Sequence, residues 1–355
     1  MGRKTGDAVN VALVGAGRQG MRRLQAIQDL GEDEVVIVAD RDGDAARVLA
    51  RRAGCRWTSD WHEALETEAD AVVICVPPDA HADITLQALR TGSHVLCEKP
   101  LAMTAATAWS LVAEAERAGR ILKCGFNYRH HAAIVQARAW VTEGRLGSVV
   151  LLRGRHGTGG RPHFEREWRT QLDRSGGGVL MDQGVHVLDL FQWFGNPFTQ
   201  VVACTVTCYW PVAPVEDNAF AILRGNDLLA SLHVSWTQWK NLFSLDIIGS
   251  HGCISVEGLG GSYGVERVVY RPQVTGPFQE QDVIEFRGPD MSWHGEWREF
   301  TTAIGLEREP SGSGRDGAEA LVLAEAIYES ARAGRTVHLD DRPLPVARSA
   351  RGDAT

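Results

Sequence analysis

Short apolar runs of strand length alternate with amphipathic stretches of helix length along the first third of the chain. Val9–Val14, Glu34–Ala39, Arg56–Thr58, Ala71–Val76, Ser93–Cys97 and Ile121–Gly125 read as strands. Met21–Leu30, Asp44–Ala53, Asp60–Glu68, Ala80–Arg90 and Thr104–Ala118 read as the helices between them. Regular alternation with short connections predicts a doubly wound parallel sheet of the Rossmann type. Its ligand crevice lies outside the carboxyl ends of the strands.

After residue 126 the rhythm changes. His130–Glu143 reads as a helix, with Ile134, Val135, Ala139 and Trp140 apolar and Gly144 closing it. Ser148–Arg153 reads as a strand, followed by an irregular stretch, Gly154–Ser175, and then a helical pattern around Val185–Phe194. Further strands are expected at Gln200–Tyr209, Asn218–Arg224, Leu228–Trp236, Phe243–Ile248, Cys253–Val256 and Arg267–Tyr270. Trp293–Ile304 and Asp316–Ala333 read as helices and Thr336–Leu339 as a last strand. In Gln200–Tyr209 the face of Val202, Cys204, Val206 and Cys208 is apolar, and the opposite face is small and hardly charged. Such a sheet buries both faces, one under helices and the other under a second subunit, so a homodimer or homotetramer is expected. The predicted domains are 1–126 and 127–340, with a loose polar tail at 341–355.

A chain of 355 residues exceeds what one core comfortably supports, which agrees with two domains. The net charge of −8 argues against a nucleic-acid partner or an anionic membrane surface. No apolar run reaches the roughly 18 residues of a membrane span, and Met1–Asp7 leads into the first strand without an apolar signal region. The seven cysteines are scattered and show neither a disulfide framework nor zinc spacing. These features predict a reducing cytoplasm and no metal.

Chemistry gathers where the apolar pattern breaks. Gly15-Ala16-Gly17-Arg18-Gln19-Gly20 follows a strand and opens a helix, the context a dinucleotide fingerprint requires. Gly15 allows the tight turn, Gly17 lets backbone approach a pyrophosphate, and Gly20 lets the helix pack close. The helix start supplies free N–H groups for the phosphate. Asp40 ends the second strand, 20 residues after Gly20, where a carboxylate bonds the adenosine ribose and repels a 2′-phosphate. NAD is therefore expected over NADP, although Arg41 could pair with a phosphate. Other fragments at strand ends are Val76-Pro77-Pro78, His81, Glu98-Lys99-Pro100 and Asn127-Tyr128-Arg129. His81 fits either helix capping or a cofactor contact.

A glycine run, Gly176-Gly177-Gly178, precedes Asp182 and His186. Four residues apart on a helix, these side chains share a face, so a carboxylate can orient an imidazole. An imidazole titrates near neutrality and suits proton transfer in a hydroxyl–carbonyl conversion, although a capped helix with an ordinary histidine has the same spacing. The stretch from Arg153 to Arg174 carries six arginines against three acids. It reads either as a loop for an anionic substrate, such as a nucleotide sugar, or as local salt pairing of the Glu165/Arg169 kind. Trp236, Trp239 and Asn241 could wall a sugar site or simply pack in a core or an interface.

Taken in order, the glycine fingerprint, Cys75-Val76-Pro77-Pro78-x-x-His81, Glu98-Lys99-Pro100 and Asp182-x-x-x-His186-x-x-Asp189 resemble the glucose–fructose oxidoreductase / inositol dehydrogenase (Gfo/Idh/MocA) family over roughly residues 8–340. The resemblance implies an NAD(P)-binding Rossmann domain and a C-terminal α/β domain with a large, mostly antiparallel open sheet. It implies oxidation or reduction of a secondary alcohol of a sugar, cyclitol or sugar derivative, with Lys99, Asp182 and His186 around the reacting carbon. The cofactor contacts expected are Gly15, Ala16, Gly17, Arg18, Gln19, Asp40, Arg41, Val76, Pro77, His81, Glu98, Lys99 and Asn127. Arg155, Trp168, Arg169 and Trp236 join the catalytic three as expected substrate contacts. Rival readings are an enzyme that keeps its NAD and cycles it internally, and a non-catalytic NAD-sensing subunit.

Overall fold

The computed structural model describes residues 8–195, 197–273 and 281–339. The expected tail at 341–355 lies outside the described residues. Two compact units form. Among the described residues, one runs through Phe126 and takes back Trp293–Ala318, and the other holds Asn127–Ser292 and residues 319–339.

The first unit is a six-stranded sheet built from β1 (Asn10–Val14), β2 (Glu34–Ala39), β3 (Arg56–Thr58), β4 (Ala71–Ile74), β5 (His94–Glu98) and β6 (Leu122–Gly125). All neighbours are parallel, in the order β3-β2-β1-β4-β5-β6. Connections run through α1 (Arg18–Leu30), α2 (Gly43–Ala53), α3 (Trp61–Leu65), α4 (His81–Arg90) and α5 (Ala105–Ala118). Chain order reverses between β1 and β4, which opens the crevice at their carboxyl ends.

In the second unit, α6 (Ala132–Thr142) leads into β7 (Val149–Gly157). That strand runs past the expected end at Arg153, because glycines at 154 and 157 let neighbours come close. A Cβ at Gly154 would lie 2.3 Å from Val187, and one at Gly157 2.3 Å from Gln238. The irregular stretch therefore begins only at Thr158. It contains two single turns (Phe164–Arg166, Trp168–Thr170) and the short α7 (Leu172–Ser175). A π-helical turn, Leu180–Gly184, runs directly into α8 (Val185–Phe194).

The remaining strands are β8 (Gln200–Val206), β9 (Asn218–Arg224), β10 (Leu229–Ser235), β11 (Leu242–Gly249), β12 (Gly252–Glu257), β13 (Glu266–Pro272) and β14 (Asp282–Phe286). β8 stops before the expected Tyr209 because Cys208, Tyr209 and Trp210 give their N–H groups to the Asp217 carboxylate instead of a ladder. β14 was not anticipated, since Asp282-Val-Ile-Glu-Phe286 is short and bounded by charge.

The chain then forms α9 (Ser292–Gly305) and α10 (Gly314–Ala333), and the last strand among the described residues is β15 (Val337–His338). The nine strands are ordered β14-β13-β12-β11-β7-β10-β9-β8-β15, antiparallel except for β10 beside β7. Trp293–Ala318, assigned by the sequence pattern to the second domain, belongs to the first unit. Trp297, Phe300 and Ile304 of α9 pack with Leu24 and Ile27 of α1 and Val11 and Leu13 of β1. An apolar helix face states that it will be buried, not against which sheet.

Candidate active site

In the first unit the glycine turn is shaped by close approach. Gly15 has φ +106°, and a Cβ there would sit 2.6 Å from the Cys75 carbonyl carbon. A Cβ on Gly20 would lie 1.9 Å from the Gly15 oxygen. Gly17 is exposed, meets nothing within 4 Å, and opens α1 without a side-chain cap or an acid in the first turn. Its N-terminal N–H groups are thus presented as an anion cradle, which fits a pyrophosphate. Arg18 and Gln19 stand on this first turn, Arg18 exposed. The Asp40 carboxylate accepts from Ala16 N–H at 2.7 Å and Asp42 N–H at 2.9 Å. It therefore ties the glycine turn to the loop after β2, a task its position in sequence did not announce. Arg41 is exposed beside it.

At the ends of β4 and β5 two expectations acquire definite partners. His81 is fully buried, its Nδ1 2.7 Å from the Pro100 oxygen and its Nε2 2.9 Å from the Val76 oxygen. Burial pulls its pKa down, against the pull of these two carbonyls. The ring thus fastens the Val76-Pro77 turn to the Lys99-Pro100 turn, rather than capping α4. Glu98 does not point outward as a cofactor contact should. It accepts from Arg23 Nε at 2.9 Å and Nη2 at 2.6 Å, both side chains buried. Arg23 also pairs with Glu296 at 2.6 Å, and Lys123 stands 3.7 Å from Glu296. Burial alone would lower the Arg23 pKa, but the two carboxylates outweigh it and hold the guanidinium charged. The strand's inward alternation sends Glu98 into this cluster; the next residue, Lys99, is half-buried.

In the second unit the glycine run is explained by contact. A Cβ at Gly177 would be 2.1 Å from the Tyr328 hydroxyl, and one at Gly178 2.1 Å from the Glu216 carbonyl oxygen. The buried Glu216 carboxylate accepts from Gly178 N–H (3.1 Å), Leu180 N–H (2.9 Å) and Tyr328 O–H (2.9 Å). Burial raises its pKa despite these donors. Glu216 thereby braces the first turn of the helical run that carries Asp182. A π turn at that point is typical of functional sites.

Asp182 lies 3.5 Å from Arg169 Nε, and the Arg169 guanidinium stacks 4.3 Å over Trp168. Arg169 also faces Glu167, which pairs with Arg161, while Glu165 turns to Arg166 and His163. The expected Glu165/Arg169 pair is replaced by these. His186 is buried and stacked on Tyr128, ring centroids 4.0 Å apart and planes 9° from parallel. The Tyr128 hydroxyl lies 2.9 Å from His156 Nε2. Asn127 uses its amide on Ser292 Oγ at 2.9 Å.

Two substrate expectations are corrected. Arg155 extends from the exposed face of β7 and donates to Ser244 Oγ at 3.2 Å. With a period of two, its neighbour His156 takes the buried face that meets α8. Trp236 is buried with Phe164 edge-on at 4.7 Å, which is core packing. Sequence reasoning missed Tyr128, His156 and the Arg129–Asp189 ion pair (2.6 Å) as a group. The signals were present, since Asn127-Tyr128-Arg129 broke the apolar pattern and Leu152, Gly154 and His156 share alternation. Among the described residues no cluster of His, Cys, Asp or Glu could hold a metal, and no helix is long and apolar enough to cross a membrane.

A Rossmann unit with an open anion cradle and a second unit that carries Asp182 and His186 on one helical run are the parts of a dinucleotide-dependent oxidoreductase. Residues 9–126 match the oxidoreductase family model described as an NAD-binding Rossmann fold, and residues 134–255 match the GFO/IDH/MocA C-terminal domain. The chain belongs to the GFO/IDH/MocA oxidoreductase family. It is 28% identical to the 1,5-anhydro-D-fructose reductase of Ensifer adhaerens over 277 residues, 78% of this chain and 81% of that one. It is 27% identical to the inositol 2-dehydrogenase of Rhizobium meliloti, covering 93% of this chain and 99% of the relative. A levoglucosan dehydrogenase solved with NADH and levoglucosan has the same fold, with a TM-score of 0.85 at 23% identity over 94% of this chain and 99% of that one.

Proposed function

We propose that this NAD-dependent oxidoreductase interconverts a secondary alcohol and a ketone on a sugar, cyclitol or sugar derivative. The observation that carries the reading is the Asp182/His186 pair on one braced helical run, with His186 locked in a buried stack. When bound, NAD supplies the hydride acceptor or donor. Gly15 to Gln19 hold its pyrophosphate and Asp40 its ribose. His186 takes the proton of the substrate hydroxyl, and Asp182 orients the site and tunes that imidazole. Lys99 offers a charged N–H donor to the oxygen where negative charge develops. Trp168 and Arg169, stacked and joined to Asp182, offer a flat face and a donor to the sugar ring. The 1,5-anhydro-D-fructose reductase and inositol 2-dehydrogenase relatives support this substrate class. A screen over sugars, nucleotide sugars, cyclitols and aminoglycosides, read by NADH absorbance, tests it. Turnover of none, with NAD bound normally, would end the reading.

The assembly is a homodimer or homotetramer formed through the open face of the second sheet. Val202, Val206, Phe220, Ile222 and Leu229 are exposed across β8, β9 and β10, a contiguous apolar area of the kind that marks an interface. Light scattering at micromolar concentration should show more than one chain per particle; a monomer would refute it. All seven cysteines are free thiols, which suits the reducing cytoplasm.

A further inference from the structure

Asn127-Tyr128-Arg129 and Asp189 stood out in the sequence, yet the proposed chemistry leaves them without a task. The structure joins them. Residues Asn127–His130 lie along α8 and grip it at two points one turn apart. Arg129 forks onto Asp189, Nε to Oδ2 at 2.9 Å and Nη2 to Oδ1 at 2.6 Å, both side chains buried. Trp193 of the same helix lies 5.1 Å beneath that guanidinium. Three residues before Asp189, on the same helix face, His186 meets the Tyr128 ring at 4.0 Å and 9°.

The Tyr128 ring is itself fixed on its other sides. His131, His156 and Phe243 meet it edge-on at 5.6, 5.4 and 5.6 Å. Its hydroxyl is bonded to His156 and Tyr263. Burial, reinforced by Tyr263 and Asp182, raises the phenol pKa well above its ordinary value, so it stays protonated and uncharged.

We infer that Tyr128 is a positioning residue for His186, fixing the plane of the imidazole and favouring its protonated form through the π face. The inference rests on the reading of His186 as proton carrier. An imidazole that must receive a proton along one direction loses rate when free to rotate. The face of an aromatic ring carries the negative part of its quadrupole, so a parallel ring stabilises the imidazolium more than the neutral base. The other charged and titratable groups around this stack are Asp182 and Asp189 on the same run, Arg129 on the gripping segment, His131 just after it, His156 on β7, Tyr263 and Asp290. Arg169 joins through Asp182. The hydroxyl of Tyr128 serves the ring's anchoring; the ring itself acts on His186.

The test compares Tyr128→Phe, Tyr128→Met and His186→Ala, each by kcat, KM, the pH profile of kcat/KM for alcohol oxidation, NAD titration and a melting curve. Tyr128→Met fills the space without a π face. It should lower kcat about tenfold or more, the scale of a lost orientation. It should also move the acid limb of the profile down by about half to one pH unit. Tyr128→Phe should keep kcat within about threefold and leave the limb in place. NAD affinity should be unchanged in both. If Tyr128→Met does not fold, pentafluorophenylalanine at position 128 keeps the packing and reverses the ring quadrupole, and the same downward shift is expected. A folded Tyr128→Met enzyme with parental kcat and limb, beside an inactive His186→Ala, overturns the inference alone. A fully active His186→Ala overturns the proton-carrier reading and Tyr128's role with it.

Discussion

Glu216 lies far in sequence from Asp182, yet it decides where Asp182 stands. Replacing it by alanine leaves the N–H groups of Gly178 and Leu180 and the Tyr328 hydroxyl without their acceptor in a buried place. Each orphaned donor costs about 1–3 kcal/mol, lessened where water enters the space left behind, so a total loss of about 3–5 kcal/mol is expected. Glu216→Gln keeps the shape and one acceptor oxygen but turns an NH2 toward a donor, and should cost about 1–2 kcal/mol at neutral pH. The pH dependence separates it further. The folded pKa of Glu216 is raised above its ordinary 4.5 by burial. Its contribution is therefore greatest below the ordinary value and is lost as pH rises through the raised one. The gap between parent and Gln variant should accordingly narrow as pH increases across that window. Urea unfolding gives the free energies, and kcat should fall in the Ala variant because the π turn carrying Asp182 loosens. NAD affinity should hold, since the cradle lies in the other unit. An Ala variant within about 0.5 kcal/mol of the parent would refute the bracing argument.

Asp40 should confer at least about tenfold preference for NAD over NADP by titration, roughly 1.4 kcal/mol. Asp40→Ser should narrow that preference and also weaken NAD itself, because Ala16 N–H loses its carboxylate; equal or tighter NADP binding by the parent would overturn this. At Asp217, burial pushes the carboxyl up, but the N–H groups of Cys208, Trp210 and Tyr209 outweigh it and hold the pKa below the ordinary 3.8. Its stabilisation is thus present above that value and fades as pH falls through the depressed one. Asp217→Asn should destabilise by about 2–4 kcal/mol near neutrality, with the difference shrinking in acid; a difference constant with pH would refute the assignment.

The parallel sheet was legible because buried strands between amphipathic helices repeat one simple rhythm, and the glycine turn because its three glycines fall at fixed spacing between a strand and a helix. The placement of Asp182 and His186 on one continuous helical run was legible too, from the apolar pattern that surrounds them. What stayed hidden depends on contacts between distant segments. Glu98 looked like part of an outward-facing motif with Lys99, but strand alternation turns it onto Arg23, which itself hides as an ordinary helix charge. Arg155 looked like a substrate residue for its charge, whereas alternation gives the buried face to His156. Trp293–Ala318 carries an apolar face whose partner, the core of α1 and β1, lies more than 250 positions away in sequence. Glu216 gives no sign at all, since three donors from two remote segments define its task.

The central claim is that His186 carries the proton, and the most direct measurement is kcat of His186→Ala beside its melting curve and NAD titration. The account predicts a folded protein that binds NAD as the parent does and turns over about 10²–10⁴ times more slowly. A well-folded His186→Ala enzyme with near-parental kcat would contradict it.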